Sequence, residues 1–87
     1  PQDVTAKSGD SVSYTVVAEG ESLTYQWQVS SSNGAKWGNT SLTGNNTATL
    51  TVSPVGTVLN GRLYRCVITD KNGNTIITNP AKLIVTE

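Results

Sequence analysis

The fold is decided by residues 60–70, which read NGRLYRCVITD. Within this stretch Tyr64, Cys66 and Ile68 occupy every second position. Successive side chains of a β-strand point to opposite faces of its sheet. The alternation therefore predicts one strand that turns these three side chains toward a core. Asn60 and Gly61, just before it, predict a tight corner, because both residue types favour turns.

Length and charge set the broad class of the protein. The 87 residues suit one domain with a modest core, and residues 1–87 are taken as that domain. Because the chain starts at Pro1, we expect it to be cut from a longer protein. Six basic and six acidic residues cancel, which argues against nucleic acid or an anionic membrane as a partner. No apolar run approaches the roughly 20 residues of a membrane helix, so we expect no membrane contact by this segment.

Composition and pattern predict an all-β protein. Val and Thr suit half-buried strands, Gly and Asn suit turns, and no segment shows helical periodicity. About seven short strands with turn signals between them predict a sandwich of two antiparallel sheets, with a small barrel as the alternative. The predicted strands are residues 3–6, 11–18, 23–30, a short return strand from Lys36 and Trp37, 47–52, the strand within 60–70, and 75–86 with a break near Pro80.

Three positions carry a resemblance to the immunoglobulin-like sandwich and decide against the barrel. Trp27 stands where that fold has a buried Trp on its third strand, and Tyr64 and Cys66 match the Tyr-x-Cys pair of its sixth strand. Val16 occupies the position of the cysteine on the second strand. The resemblance implies a core built on Val16, Trp27, Tyr64 and Cys66. With one cysteine the chain cannot form the usual internal disulfide.

The same resemblance implies a role for the Tyr64 hydroxyl. In the tyrosine corner of such domains this group bonds back to the chain a few residues upstream. We therefore expect a hydrogen bond from Tyr64 to the backbone near Leu59 or Asn60. Cys66 could instead be a reactive thiol, a metal ligand or half of an intermolecular bridge. The favoured interpretation is a small buried hydrophobic residue, since no His is present to activate it.

A closer resemblance covers nearly the whole chain. The motifs occur in order as LTYQWQ at 23–28, GAKW at 34–37, ATLTV at 48–52, NGRLYRC at 60–66 and TDKNGNT at 69–75. Together they resemble the immunoglobulin-like (I-set-like) repeats of surface and secreted proteins of gut-type Gram-positive bacteria. That resemblance implies a repeated extracellular module in a long chain, often beside adhesive or carbohydrate-directed domains. It does not imply a ligand, because a fold leaves function to its site.

The candidate ligand-binding residues are Trp37, Gln26, Gln28 and Arg65. Trp37 follows a turn and could stack on a sugar ring or anchor a protein contact, or it could simply fold over the sheet edge. The other three lie on the outward face of the predicted third and sixth strands. Such a flat polar face can be an interface, although it is more often solvated sheet surface.

No pattern in the sequence indicates catalysis, a metal or a cofactor. The chain has no His and no phosphate-cradling loop, so we expect no enzyme activity. Asp70, Asn72 and Asn74 place oxygens at alternate positions, as calcium loops do. The bidentate Glu that completes such a loop is missing, which favours a plain hairpin turn and no metal.

Three functions follow as hypotheses. The first is a non-catalytic adhesion or scaffold spacer in a bacterial surface or secreted protein, with neighbouring domains of the same chain as partners. The second is a module that binds glycans or host surface proteins. The third is an accessory domain of a carbohydrate-active enzyme. All three place the domain outside the cell, either on the cell surface or secreted.

Overall fold

The computed structural model describes residues 2–20 and 22–86. A short 3-10 turn at Thr57–Leu59 accompanies the strands, and no helix in the described part of the chain is long and apolar enough to cross a membrane. The described residues form eight strands, which are β1 Val4–Lys7, β2 Val12–Thr15, β3 Thr24–Ser30, β4 Gly38–Asn39, β5 Thr49–Val52, β6 Leu63–Thr69, β7 Thr75–Ile77 and β8 Ala81–Thr86.

The strands form two sheets, as the sequence predicts. The larger sheet has the order β1-β8-β6-β3-β4, with β7 also paired to β6, and the smaller one pairs β2 with β5. The predicted last strand is interrupted where expected, so β7 and β8 are separate strands that pair with β6 one after the other. The all-β sandwich with no disulfide is therefore confirmed, and Cys66 is a buried free thiol.

Strand β6 lies at the centre of the larger sheet. Tyr64, Cys66 and Ile68 are buried and alternate with half-buried side chains, as the sequence pattern predicts. Trp27 on β3 lies directly opposite Cys66 and is fully buried. Its indole nitrogen donates a hydrogen bond of 2.8 Å to the carbonyl oxygen of Thr47. The burial of both the ring and its polar atom makes Trp27 the anchor between the sheets.

The core is one cluster of buried side chains drawn from both sheets. Leu42, which lies outside the regular strands, packs against it half-buried. The four predicted core residues are all members. The full set is Ala6, Tyr14, Val16, Trp27, Leu50, Val52, Val55, Tyr64, Cys66, Ile68, Ala81, Leu83 and Val85.

The smaller sheet is shorter than the pattern predicts. Strand β2 ends at Thr15, although Val16 is still buried and its amide donates to the carbonyl of Ala48 at 2.9 Å. Strand β5 begins at Thr49 because Thr47 is held in the preceding turn, where its amide donates to the carbonyl of Gly44. There the hydroxyl of Thr47 bonds the carbonyl oxygens of Gly44 and Thr49 at 3.0 and 2.9 Å.

One strand pair departs from the predicted antiparallel arrangement. Strand β1 runs parallel to β8, with Val4 opposite Leu83 and Lys7 opposite Thr86. The first strand also starts one residue later than predicted, because the Asp3 carboxylate instead accepts a hydrogen bond of 2.7 Å from the Lys82 amide. The first strand thus joins the larger sheet, while the next strand along the chain belongs to the smaller one.

The expected hydrogen bond of the Tyr64 hydroxyl is wrong. Among the described residues it makes no bond to the backbone near Leu59 or Asn60, and the Asn60 side chain accepts from the Val85 amide at 2.8 Å instead. The tyrosine hydroxyl that reaches a backbone carbonyl belongs to Tyr14, which donates to Lys82 at 3.4 Å. The rings of the two tyrosines pack together, with centroids 5.4 Å apart. Burial of Tyr64 thus comes from ring packing rather than from a corner bond.

We predict that Cys66 is unreactive in the folded domain. Its side chain is fully buried, and burial raises the pKa of its thiol, so little thiolate is available at neutral pH. A thiol reagent should modify it only as fast as the domain opens, and rapidly in denaturant. A Ser8→Cys variant, which adds a thiol in an exposed turn, should take up one equivalent at once. Fast modification of the unmutated folded protein would contradict the buried position.

Candidate functional site

Trp37 and Arg65 are in direct contact on the outward face of the larger sheet. The guanidinium carbon of Arg65 lies 4.1 Å from the centroid of the Trp37 ring, and both side chains are half-buried. A cation held over an aromatic face is attracted by the ring, by about 0.5–1 kcal/mol at an exposed site. The structure therefore brings together two residues that the sequence places 28 positions apart.

A row of hydrogen bonds extends this contact across three strands. Gln28 on β3 lies directly opposite Arg65 on one side and Asn39 on the other. The Nε atom of Arg65 donates to Oε1 of Gln28 at 2.9 Å, and Nε2 of Gln28 donates to Oδ1 of Asn39 at 3.2 Å. We call the surface formed by Trp37, Arg65, Gln28 and Asn39 the Trp37–Arg65 face.

Two serine hydroxyls hold the loop that carries Trp37. The Ser30 hydroxyl oxygen is buried and accepts from the amides of Gly34 and Ser32 at 2.9 and 3.3 Å. The Ser32 hydroxyl oxygen accepts from the amide of Lys36 at 2.9 Å. Each bond satisfies a loop amide that has no strand partner, so the loop has a defined path into Trp37.

The loop also explains where the return strand begins. Asn33 and Gly34 have φ angles of 58° and 91°, so the predicted Asn-Gly turn is confirmed. The return strand itself begins at Gly38, and the prediction that it starts at Lys36 and Trp37 is wrong. Loop amides bond to serine side chains instead of to β3, which delays the ladder by two residues.

Gln26 does not join the other predicted residues. It lies opposite Val67, two positions along β3, and its Nε2 atom donates to the backbone carbonyl of Trp27 at 2.9 Å. Two residues that contribute to this surface or to its supporting loop were not predicted from the sequence. Asn39 could not be identified without the register that places it opposite Gln28. Ser30 and the serines after it did carry a signal, because serine hydroxyls often stabilise turns.

The charge of this surface is unbalanced. On the outward face of β3, β4, β6 and β7, Arg65 is the charged residue, and within residues 2–20 and 22–86 no carboxylate contacts it. The register assigns to this face Thr24, Gln26, Gln28, Ser30, Asn39, Leu63, Arg65, Val67, Thr69, Thr75 and Ile77.

The Asp70 carboxylate accepts hydrogen bonds from other residues of the β6–β7 turn. Its Oδ1 atom accepts from the amides of Asn72 and Asn74, both at 2.9 Å, and Oδ2 accepts from the Asn74 side chain at 3.1 Å. No group of three acidic, Cys or His side chains that could hold a metal ion occurs among the described residues. The geometry is that of a hairpin turn closed by an aspartate.

We predict that Asp70→Asn destabilises the domain in a pH-dependent way. The Asn74 amide and the other turn donors favour the ionised carboxylate, which holds the pKa of Asp70 below its ordinary value of 3.8. A lowered folded-state pKa gives stability that is present above pH 3.8 and disappears as the pH falls through the folded value. The Tm difference between wild type and Asp70→Asn should therefore be largest near neutral pH and shrink in acid.

A matched variant removes the same charge elsewhere. Glu19→Gln alters an exposed carboxylate that is not part of this turn, in the connection before β3. Thermal melts of all three proteins from pH 7 to pH 2.5 make the comparison. A Tm difference for Asp70→Asn that stays constant over this range would show that its carboxylate is not tied to the turn.

A cavity that shares Asn39 with the Trp37–Arg65 face lies beside Tyr64. It has a volume of about 240 Å³, and its walls include Leu42, Leu59, Arg62 and Tyr64. Burial raises the pKa of the Tyr64 hydroxyl and the nearby Arg62 opposes this rise, so the hydroxyl is neutral at pH 7. Tyr64 can serve there as a hydrogen-bonding group but not as a general base.

The chemistry of the chain therefore centres on the Trp37–Arg65 face. That surface can donate from a guanidinium, donate and accept through two amides, and offer apolar contact at its margin. No protein-family model and no curated protein matches this sequence.

Proposed function

We propose that this chain is a non-catalytic immunoglobulin-like module of a bacterial cell-surface or secreted protein. It serves as an adhesion or scaffold spacer, and its partners are neighbouring domains of the same chain. The observation that carries the proposal is the parallel pairing of β1 with β8.

Parallel pairing fixes the directions in which the chain passes through the domain. Both strands run the same way, so the chain enters the pair at one end and leaves it at the other. We call the pairing of Val4–Lys7 with residues 83–86 the β1–β8 seam. Further bonds at its two ends join Asp3 to Lys82 at 2.7 Å and Ser8 to Thr86 at 2.8 Å.

This geometry suits a module that is joined in series with other domains and is stretched through its two ends. A force that pulls the two ends apart acts along the seam, so all of its hydrogen bonds share the load. A pair of antiparallel terminal strands would instead open one bond at a time from the end. A spacer that holds a more distal domain away from a cell wall needs strands whose hydrogen bonds resist force together.

Single-molecule pulling tests the spacer function. Tandem copies are stretched either through their two ends or between Ser8→Cys and the C-terminal end, which peels the seam from one side. End-to-end pulling should require clearly more force to unfold each copy, because its bonds break together. Equal forces in the two geometries would remove the support for a load-bearing spacer.

A second candidate function is recognition of a glycan or a protein. The contact between Trp37 and Arg65, together with the row through Gln28 and Asn39, favours it. Side chains that are already held by one another lose little freedom when a ligand binds, which lowers the cost of binding. The same surface would serve an accessory domain of a carbohydrate-active enzyme. The two candidates are compatible, since the seam and the Trp37–Arg65 face use different strands.

A further inference from the structure

We propose that the Trp37–Arg65 face binds a carboxylate-bearing saccharide, with the Arg65 guanidinium receiving the carboxylate. This inference rests on the second candidate function, recognition, and is independent of the spacer role. Three features of the surface lead to it: the way Arg65 is held, the charge of the face, and the polar groups beside it.

Arg65 is held in place but retains free donors. Its Nε atom is committed to Gln28, and its planar group lies against Trp37. The two terminal nitrogens have no hydrogen-bond partner among the described residues. A guanidinium presents its donors as a fork that matches the two oxygens of a carboxylate. Because ring and amide restrain the side chain, little of its rotamer freedom remains to be lost on binding.

The charge of the face selects an anion. Arg65 is its charged residue, and the described part of the chain places no Asp or Glu side chain against it. A complementary ligand brings one negative charge to this point. Trp37 itself contributes by holding the guanidinium, since that ring face is already covered and cannot stack on a sugar.

The neighbouring groups indicate a saccharide rather than an acidic peptide. The amides of Gln28 and Asn39 extend the row away from Arg65 and can donate to and accept from hydroxyl groups. On the other side, Val67 and the half-exposed Ile77 offer apolar surface to the C–H face of a sugar ring. The surface is a flat sheet face, whereas an extended peptide would add to an exposed strand edge.

The test is a titration of the isotopically labelled 87-residue chain followed by NMR. The probe is tetragalacturonic acid, and its matched control is the same oligosaccharide with every carboxylate converted to the methyl ester. We expect the acid to shift the side-chain N–H signals of Arg65 and Trp37 and to bind at least about tenfold more tightly than the ester. A tetraglutamate peptide forms the third arm.

Variants locate the site. Arg65→Gln should abolish the shifts, and Arg65→Lys should weaken binding about tenfold, because it keeps the charge but loses the fork. Arg62→Gln removes the same charge from a side chain that lines the cavity beside Tyr64, and this variant should bind like wild type. Thermal melts of each variant show that the fold is intact.

Each contrary result has a definite meaning. Equal binding of the acid and the ester overturns the role of the carboxylate. Binding of the peptide but not of the acid saccharide overturns the ligand class while leaving recognition in place. Absence of binding by all three probes, or equal binding by Arg65→Gln, overturns the proposal without touching the pulling experiment on the spacer.

Discussion

Trp27→Ala is expected to remove about 3–5 kcal/mol from the free energy of unfolding, the usual range for deleting a buried aromatic side chain. The ring is fully buried, packs near Tyr14, and donates its N–H to the Thr47 carbonyl oxygen at 2.8 Å. A domain of this size has a total stability of only roughly 5–10 kcal/mol. Urea unfolding followed by circular dichroism should therefore show that the variant has lost a large share of its stability at 25 °C.

Two further variants make this result interpretable. Trp27→Phe keeps an aromatic ring but loses the N–H group, so it should stay folded with a lower urea midpoint. Trp37→Ala removes the other tryptophan, which is half-buried on the sheet surface, and should cost clearly less than Trp27→Ala. If both Trp→Ala variants cost the same, the assignment of Trp27 to the core and Trp37 to the surface is wrong.

Gly44→Ala is the second large expected effect. Gly44 has a φ of +81°, and a Cβ atom placed there would overlap the carbonyl oxygen of Thr49. The substitution therefore combines a left-handed backbone, which costs about 1–2 kcal/mol for a residue with a side chain, with a clash of about 1–3 kcal/mol or more. The clash falls on the turn that leads into β5. Chemical denaturation should show a loss of about 2–5 kcal/mol.

Gly73→Ala is the matched control for Gly44→Ala. Gly73 has nearly the same φ, +84°, but no atom lies within 4 Å of the position that a Cβ would take. Gly73→Ala should therefore lower the free energy of unfolding only by the backbone cost, about 1–2 kcal/mol. Equal losses for the two variants would mean that the contact between Gly44 and Thr49 is not present in solution.

The centre of the fold could be predicted from local pattern. The alternation of Tyr64, Cys66 and Ile68 determines which face of β6 is buried, because a strand has only two faces. Trp27 and Val16 follow from the same rule on their own strands. The turns at residues 33–34 and 70–74 were predictable because Asn, Asp and Gly favour those backbone angles.

What the sequence could not supply depends on contacts between distant residues. Nothing in residues 3–7 shows that they pair with residues 83–86 rather than with the next strand. The tyrosine corner was wrong for a related reason, since Tyr64 packs against the ring of Tyr14, which is distant in the sequence. In the same way, the row from Arg65 through Gln28 to Asn39 exists only because the register of three strands aligns them.

The parallel β1–β8 seam is the central claim, because the proposed spacer function rests on it. Backbone NOEs between residues 4–7 and 83–86 of the isotopically labelled domain test it most directly. A parallel seam should give interstrand Hα to amide contacts in the register Val4 with Leu83 through Lys7 with Thr86. Strong Hα to Hα contacts, or contacts from residues 4–7 to β2 instead, would contradict the seam and the in-line geometry that it supports.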